Sequence, residues 1–220
     1  MTPHQPNPSR GPGHFEERLR AFASSRGVEL TPEQGSRLER LDRWLTESSR
    51  VLDLSGFRDT EERIARYFLE PLDAFRWFPN QPGEALDVGT GGGSPALPLA
   101  IVGPGREWTF LEPNRRRAVF LEEALSQVGL SGAVQRSRLE VFAPGKRFMV
   151  ITSRGVSLDE GALARLVAWL EPGGRLLLFT GSDRSELLRS WRGPLEERGH
   201  VALAPGFKSW LLVLEKPPAS

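Results

Sequence analysis

A glycine-rich loop between a short apolar run and a helical segment is the feature that most limits how this chain can fold. Residues 84–88 are mainly apolar, Asp87 lies near their end, four glycines occupy the next five positions, and an apolar segment begins at Ala96. Glycine accepts positive φ and lets a ligand lie against bare main chain, and a helix start offers unpaired N–H groups. Residues 84–102 therefore predict a strand, a ligand-binding loop and a helix.

The chain from residue 84 onward alternates short apolar runs with amphipathic ones, which is typical of a parallel sheet with crossover helices. The predicted strands cover 84–88, 107–111, 133–135, 148–154 and 175–179. The predicted helices cover 96–102, 115–128, 159–170 and 185–197, with a turn at 171–174. Apolar runs at 200–204 and 210–214 are expected to pair antiparallel at the edge. The pattern predicts an α/β fold with a mostly parallel, Rossmann-like sheet and an antiparallel C-terminal edge.

The part of the chain before the sheet is expected to be helical. One helix is capped at Thr31 and Pro32, and a later one begins at Asp59 or Thr60 and reaches a kink or break at Pro71. The first residues hold four prolines and no apolar periodicity, which predicts a disordered tail. We therefore divide the chain into a tail at 1–13, a helical appendage at 14–80, the sheet domain at 81–216 and a tail at 217–220.

Composition narrows the possible sites and compartments. The 220 residues include no cysteine and three scattered histidines, which excludes a disulfide framework and argues against a structural metal site. Twenty-nine basic and 28 acidic residues nearly balance, so net charge neither favours nor opposes a polyanionic partner. No apolar run reaches the ~18 residues of a membrane span, and the N-terminus lacks the apolar region of a secretory signal. We expect a cytoplasmic monomer without a metal or a membrane segment.

An acidic residue ends the second predicted strand, and open parallel sheets bind ligands beyond the carboxyl ends of their strands. Glu112 follows Gly89 by about 20 positions, from where an acidic residue accepts hydrogen bonds from the ribose hydroxyls of a nucleoside. The alternative is a strand-terminal Glu112 that faces only water. Asp87 either anchors the loop or contacts the ligand. The spacing predicts a nucleoside ligand.

Two nucleoside ligands suit a glycine loop of this kind, a dinucleotide and S-adenosylmethionine. The dinucleotide pattern G-x-G-x-x-G/A fails from Gly89, and from Gly91 it puts Ser94 and Pro95 where the pyrophosphate turn would lie. The form acidic-x-Gly-x-Gly after the first strand is common to S-adenosylmethionine enzymes, whose ligand has no pyrophosphate. A hydrolase nucleophile elbow at Ser94 lacks its final glycine and would need a larger sheet. The loop favours S-adenosylmethionine.

Several segments resemble those of one family. Residues 87–100, DVGTGGGSPALPLA, look like the loop of the glucose-inhibited division B family, whose bacterial members methylate guanine N7 in 16S ribosomal RNA. Residues 112–121 are similar to its D-S-x-x-K-R-x-x-F-L segment, and residues 152–155 to its S-R-A segment. With further likeness at 52–59 and 66–72, the resemblance covers about residues 35–182. It implies an S-adenosylmethionine-dependent methyltransferase sheet with the helical appendage ahead of it.

The resemblance also implies site residues. Together with the loop analysis, it predicts cofactor contacts at Asp87, Gly89, Gly91, Ser94, Glu112, Leu139, Glu140 and Arg154. Arg154 is expected to position the cofactor carboxylate or the guanine, and a strand-end salt bridge is the alternative. Contacts to RNA are expected from Arg115, Arg116, Arg117, Asp53 and Tyr67. For the three arginines, a solvated helix start is the alternative.

The departures from the family pattern lie on the substrate side. They are Asp53 for Asn, Tyr67 for His, Glu70 for Asp, Gly155 for Ala and Thr180 for Lys. Losing the lysine makes this rim less cationic, which weakens phosphate attraction. The expected reaction is methyl transfer from S-adenosylmethionine to guanine N7 in 16S ribosomal RNA or the small ribosomal subunit. The alternatives are another RNA, a small-molecule acceptor, or a non-catalytic protein that binds cofactor or RNA.

Overall fold

A seven-stranded sheet organises the computed structural model, which describes residues 14–48, 59–103, 105–181, 188, 193–203 and 208–218. Its strands are β1 Ala85–Val88, β2 Trp108–Leu111, β3 Ala133–Gln135, β4 Phe148–Arg154, β5 Leu170–Thr180, β6 Glu196–Ala202 and β7 Trp210–Glu215. The strand order is β3-β2-β1-β4-β5-β7-β6. β1 to β5 pair in parallel, and β7 is antiparallel to both β5 and β6. The predicted parallel sheet with an antiparallel C-terminal edge is confirmed.

Seven α-helices and one π-helical segment accompany the described sheet. They are α1 His14–Ser25, α2 Pro32–Ser48, α3 Thr60–Arg63, α4 Glu70–Phe75, α5 Ala96–Val102, α6 Arg115–Val128 and α7 Glu160–Trp169, with the π-helical segment Ile64–Leu69 between α3 and α4. At α2 the Thr31 hydroxyl accepts from Gln34 N at 3.2 Å, and Thr31 N donates to Gln34 Oε1 at 2.8 Å. This reciprocal capping fixes the start of α2. The Asp59 side chain caps α3.

Two sequence predictions about these elements are wrong. The turn expected at 171–174 lies inside β5 as a bulge, because Gly173 N donates to Lys216 O and Lys216 N donates to Gly174 O. The helix expected at 185–197 ends too late, since β6 begins at Glu196 after Gly193 and Pro194, which interrupt helices. Most of that helix, at 182–187 and 189–192, lies outside the described residues. The predicted tail at 1–13 and residues 219–220 also lie outside them.

The region around Pro71 differs from expectation in another way. The chain stays helical from α3 through the π-helical segment into α4, and Pro71 is the second residue of α4. Proline has no N–H to donate to the preceding turn, and the carbonyl of Tyr67, four residues earlier, accepts from Ser94 Oγ instead. The π-helical segment, rather than a break, therefore precedes the proline.

One hydrophobic cluster joins the N-terminal helices to the sheet. It contains Leu41 of α2, Leu97 of α5 and Leu121 of α6, all fully buried, together with side chains from β1 and β5. Trp44 of α2 stacks on Phe120 of α6 with ring centroids 6.3 Å apart. A second cluster, which includes residues of α7, forms on the opposite face of the sheet. Helices thus cover both faces, and the carboxyl ends of the central strands remain open.

Candidate functional site

A cavity of about 570 Å³ opens where β1, β2 and β4 end. This volume lies within the range of roughly 300–1,000 Å³ found for small-molecule sites. Its wall brings together nine of the predicted site residues: Tyr67, Gly89, Gly91, Ser94, Glu112, Arg117, Leu139, Glu140 and Arg154. We call this space the main cavity.

The glycine loop needs glycine at two positions for reasons that the structure makes explicit. Gly89 has φ +69°, and a Cβ there would lie 2.4 Å from Val156 Cγ2. Gly93 has φ +96°, and a Cβ there would lie 2.9 Å from the Tyr67 hydroxyl. Both positions exclude a larger residue by backbone strain and by space. Gly92 does not take the expected positive φ, and its carbonyl accepts a hydrogen bond from the Tyr67 hydroxyl at 2.7 Å.

Glu112 ties the loop to the end of β2. Its carboxylate is almost fully buried, with Oε2 accepting from Gly91 N and Oε1 accepting from Asn114 N, each at 2.8 Å. Each carboxylate oxygen has a second lone pair, so further hydrogen bonds from hydroxyl donors are possible. Glu112 therefore both holds the glycine loop and forms part of the wall of the main cavity.

Asp87 lies behind the loop rather than in the main cavity. Thr152 Oγ1 donates to Asp87 Oδ1 at 2.5 Å, and the Thr90 hydroxyl donates to the Asp87 carbonyl at 3.1 Å. Burial raises the pKa of Asp87 to about 7. Only 1% of the residue is exposed, and it is not part of the cavity wall. The predicted direct contact with the cofactor is therefore corrected, and the structure favours the loop-anchoring alternative.

Arg154 lines the main cavity and also makes the salt bridge that was the alternative to a positioning role. Its Nη2 lies 2.8 Å from Glu70 Oε2, its Nη1 donates to the Arg66 carbonyl, and its guanidinium lies 4.6 Å from the ring centroid of Phe179. Burial lowers the pKa of Arg154 and raises that of Glu70, and the charge on each opposes the shift on the other. Glu70, predicted only as a departure, thus holds Arg154 in place.

The π-helical segment connects the appendage to the site. Two of its carbonyls accept hydrogen bonds from site side chains, the Arg66 carbonyl from Arg154 and the Tyr67 carbonyl from Ser94 Oγ at 3.2 Å. Tyr67 itself is 1% exposed, and burial raises the pKa of its hydroxyl, which stays protonated and donates to Gly92. The structure therefore places Tyr67 as a support of the loop, whereas we predicted an RNA contact.

The other arginines predicted to contact RNA do not all lie at the main cavity. Arg117 lines the main cavity, while Arg115 and Arg116 are exposed at the start of α6 and lie outside its wall. The Asn114 side chain caps this helix by accepting from the backbone N–H groups of Arg116 and Arg117. Asp53 lies outside the described residues.

Sequence reasoning missed several residues of the cavity wall. Ser137, Val156 and Ser157 line it outside every motif that we identified, while Arg66 and Thr90 lie within matched segments but were not predicted as site residues. No sequence motif marks Val156. Its importance is seen in the structure, where it occupies the space that a side chain at position 89 would need. Arg66 lies on a helix whose periodicity gives no sign of the π-helical segment.

The described part of the chain contains neither a metal-binding group of side chains nor a helix that could span a membrane. No group of three or more His, Cys, Asp or Glu side chains there could hold a metal ion. Likewise, no helix among the described residues is both long and apolar enough to cross a membrane.

Comparisons with known proteins agree on one family. A family model described as GidB, rRNA small subunit methyltransferase G, matches residues 34–194. Ribosomal RNA small subunit methyltransferase G of Pseudomonas putida strain F1 is 36% identical over 150 residues, which cover 68% of this chain and 69% of that protein. Ribosomal RNA small subunit methyltransferase G 1 of Syntrophobacter fumaroxidans is 31% identical over 194 residues, covering 83% of this chain and 88% of that protein.

Solved structures share the sheet architecture. TrmN from Thermus thermophilus superposes with a TM-score of 0.53 at 26% identity, covering 66% of this chain and 48% of that protein. This chain therefore spans about half the length of that protein. Ribosomal protein L11 methylase from Lactobacillus delbrueckii subsp. bulgaricus superposes with a TM-score of 0.56 at 14% identity, covering 68% and 77% of the two chains, and supports the fold alone.

Proposed function

Since this chain belongs to the GidB family of rRNA small subunit methyltransferases, we propose that it transfers a methyl group from S-adenosylmethionine to N7 of a guanosine in 16S ribosomal RNA. The observation that carries the proposal is the position of Glu112, which lines the main cavity and holds Gly91 of the glycine loop. The choice of N7 follows from the resemblance of the loop, of residues 112–121 and of residues 152–155 to the family. The cofactor follows from the family and the fold.

The main cavity suits the cofactor in size and in the groups it offers. Its wall combines the bare backbone of the glycine loop, the carboxylate of Glu112 and the polar segment that includes Leu139 and Glu140. We assign the ribose hydroxyls to Glu112 and the amino-acid moiety to the loop. Arg154 orients the bound groups from a position that Glu70 fixes.

The proposed reaction requires little acid–base catalysis from the protein. When bound, S-adenosylmethionine supplies an electrophilic methyl group on a positively charged sulfur. Guanine N7 presents a lone pair at neutral pH, so no side chain has to remove a proton before transfer. The residues of the main cavity contribute by holding the two reactants in line and by excluding water. The absence of His from the described cavity wall is consistent with this role.

The proposed partner is 16S ribosomal RNA or the small ribosomal subunit. Arg117 at the cavity wall and the exposed Arg115 and Arg116 beside it supply positive charge for phosphate contacts. We further propose that the protein acts as a monomer in the cytoplasm, where this substrate is found.

Methyl transfer from labelled cofactor tests the proposal. Wild-type protein is incubated with small ribosomal subunits that lack the modification, with free 16S RNA and with a mixture of small acceptors, and the labelled nucleoside is identified by mass spectrometry. We expect N7-methylguanosine in ribosomal RNA. Label in small acceptors alone would refute the RNA assignment. No binding of S-adenosylmethionine by calorimetry would refute the enzyme assignment altogether.

A further inference from the structure

A second cavity of about 120 Å³ adjoins the main cavity at the ends of β5 and β7. The two share Arg66, Arg154 and Gly155, and the smaller one also takes Thr180 and Lys208 into its wall. We call it the side cavity. Arg154, which its ion pair with Glu70 fixes, lines both spaces. A ligand that extends past Arg154 would occupy both cavities.

Three cationic side chains line the described wall of the side cavity, and they differ in whether an acidic residue pairs with them. Arg154 pairs with Glu70 at 2.8 Å, and Arg66 pairs with Glu62 at 3.1 Å. Lys208 is exposed and forms no ion pair with any residue that the structure describes. No acidic residue belongs to the described wall of this cavity. An anion entering the side cavity would therefore meet the ammonium group of Lys208, while the Glu70 carboxylate, which faces Ser209 of the wall, is already paired with Arg154.

Lys208 lies close to position 180, where the family pattern has a lysine that this chain lacks. The register of β5 and β7 pairs Thr180 with Trp210, so Lys208 precedes β7 beside the end of β5. A Cβ on Gly181 would lie 3.8 Å from the Lys208 carbonyl oxygen, which confirms how close the two segments are. The family pattern expects lysine at position 180. In this chain the neighbouring strand supplies a lysine at the same rim.

The chemistry of the wall favours a phosphate over a base. The Thr180 hydroxyl donates to the Gly181 carbonyl at 3.3 Å and the Ser209 hydroxyl faces the Glu70 carboxylate, so the donor left for a ligand is the ammonium group of Lys208. The one aromatic ring, Phe179, already has the Arg154 guanidinium over its face at 4.6 Å, which leaves that face unavailable for stacking on a base. Phosphate oxygens, by contrast, accept from an ammonium group such as that of Lys208.

We infer that the side cavity binds a phosphate group of the RNA strand next to the acceptor guanosine, and that Lys208 supplies the charge for this contact. The inference rests on the proposed function, because it requires the acceptor nucleotide to enter the main cavity. Lys208 is a substrate-binding residue in this scheme and takes no part in methyl transfer itself.

The salt dependence of RNA binding tests the side cavity. Lys208→Ala is compared with Arg165→Ala, which removes the same charge from an exposed position of α7 outside both cavities. Affinity for a 16S RNA fragment is measured between about 50 and 200 mM salt. One lost phosphate contact reduces the slope of log K against log salt by about 0.7–0.9 and weakens binding about three- to tenfold. We expect this change for Lys208→Ala alone, with unchanged affinity for S-adenosylmethionine.

A rescue variant tests the location of the contact. Adding Thr180→Lys to Lys208→Ala returns a lysine to the same rim from the other strand, and we expect it to restore the slope. An unchanged slope in Lys208→Ala, an equal change in Arg165→Ala, or no rescue would each overturn the inference. Methyl transfer by wild-type protein is scored separately. If wild-type protein fails to methylate ribosomal RNA, the proposed function fails, while the slopes still decide whether the side cavity binds phosphate.

Discussion

At the scale of single residues, two buried carboxylates, those of Glu112 and Asp87, support the glycine loop in different ways. Glu112 accepts the N–H groups of Gly91 and Asn114, so the loop and the residue after β2 are fixed by one side chain. Asp87, under the same loop, bonds Thr152 and stays out of the main cavity. Substitutions of the two carboxylates should therefore have different consequences.

Glu112→Gln should weaken binding of S-adenosylmethionine about 10- to 100-fold, the effect of losing a hydrogen bond to a charged group worth about 1.5–3 kcal/mol. The amide keeps one acceptor oxygen, but its NH₂ group would face one of the two backbone N–H donors. Calorimetry measures the dissociation constant, and Glu123→Gln on the exposed face of α6 is the control. Equal affinities in the two variants would show that Glu112 does not hold the cofactor.

Asp87→Asn should change how stability depends on pH. The pKa of Asp87 is raised from 3.8 to about 7 in the folded protein, so folding favours the protonated carboxyl. The stabilisation is complete below pH 3.8 and is lost as pH rises through about 7. Because asparagine does not ionise, the variant should gain stability relative to wild type as pH rises, on the order of a few kcal/mol by neutral pH. Urea unfolding at several pH values measures this, and parallel pH profiles would contradict it.

At the scale of elements, the π-helical segment is the connection between the helical appendage and the glycine loop. Such segments are often found at functional sites because they redirect side chains and carbonyl groups. Here the carbonyls of Arg66 and Tyr67 bond Arg154 and Ser94, while the Tyr67 hydroxyl bonds Gly92. A change in this segment is therefore transmitted directly to the glycine loop.

Tyr67→Phe should loosen the glycine loop while keeping the aromatic packing. We expect a stability loss of about 0.5–1.5 kcal/mol, faster amide hydrogen exchange in residues 89–94 and weaker binding of S-adenosylmethionine. Thr46→Val is the matched control, since it removes a hydroxyl donor to the Asp42 carbonyl on α2, away from the loop. If both variants leave loop exchange at the wild-type rate, the Tyr67 hydroxyl does not support the loop.

Elements whose ends are set by neighbouring residues in the sequence were predicted well. Features that depend on contacts between distant residues were predicted poorly. The ends of α6 follow from the polar start at Asn114 and from Gly129, which adopts the left-handed conformation that ends the helix. The bulge at 171–174 depends on pairing with Lys216, far along the chain, and no local pattern distinguishes it from a turn. The pairing of Arg154 with Glu70 was likewise invisible, because the resemblance identified Glu70 only as a substitution. Contacts formed by tertiary structure explain these failures.

At the scale of the whole molecule, the described appendage and sheet share one hydrophobic cluster. Leu41 of α2 is fully buried in it, and Gln34 Nε2 donates to the carbonyl of Val102 at the end of α5 at 3.0 Å. We propose that the described helices within residues 14–48 and 59–75 fold together with the sheet rather than as a separate unit, although they precede it in the chain.

Leu41→Ala should destabilise the entire protein by about 2–5 kcal/mol, because the cavity it leaves lies between α2 and the sheet-covering helices. Tryptophan fluorescence and far-UV circular dichroism should agree on a single unfolding midpoint within each protein, and that midpoint should be lower in the variant than in wild type. Leu130→Ala, at a partly buried position after α6, provides a milder control. Two separate transitions in Leu41→Ala would show that the appendage unfolds independently.

The two outer strands of the sheet bear on how the molecule behaves at high concentration. β3 is only three residues long, with Ala133 and Gln135 exposed. β6 exposes Glu196, Glu197 and Arg198, so an incoming strand from another copy would have to approach a row of charged side chains. Short or charged margins discourage the edge-to-edge strand addition that leads to aggregation. The parallel sheet can thus keep its carboxyl ends open to a large substrate without offering its sides to other copies of itself.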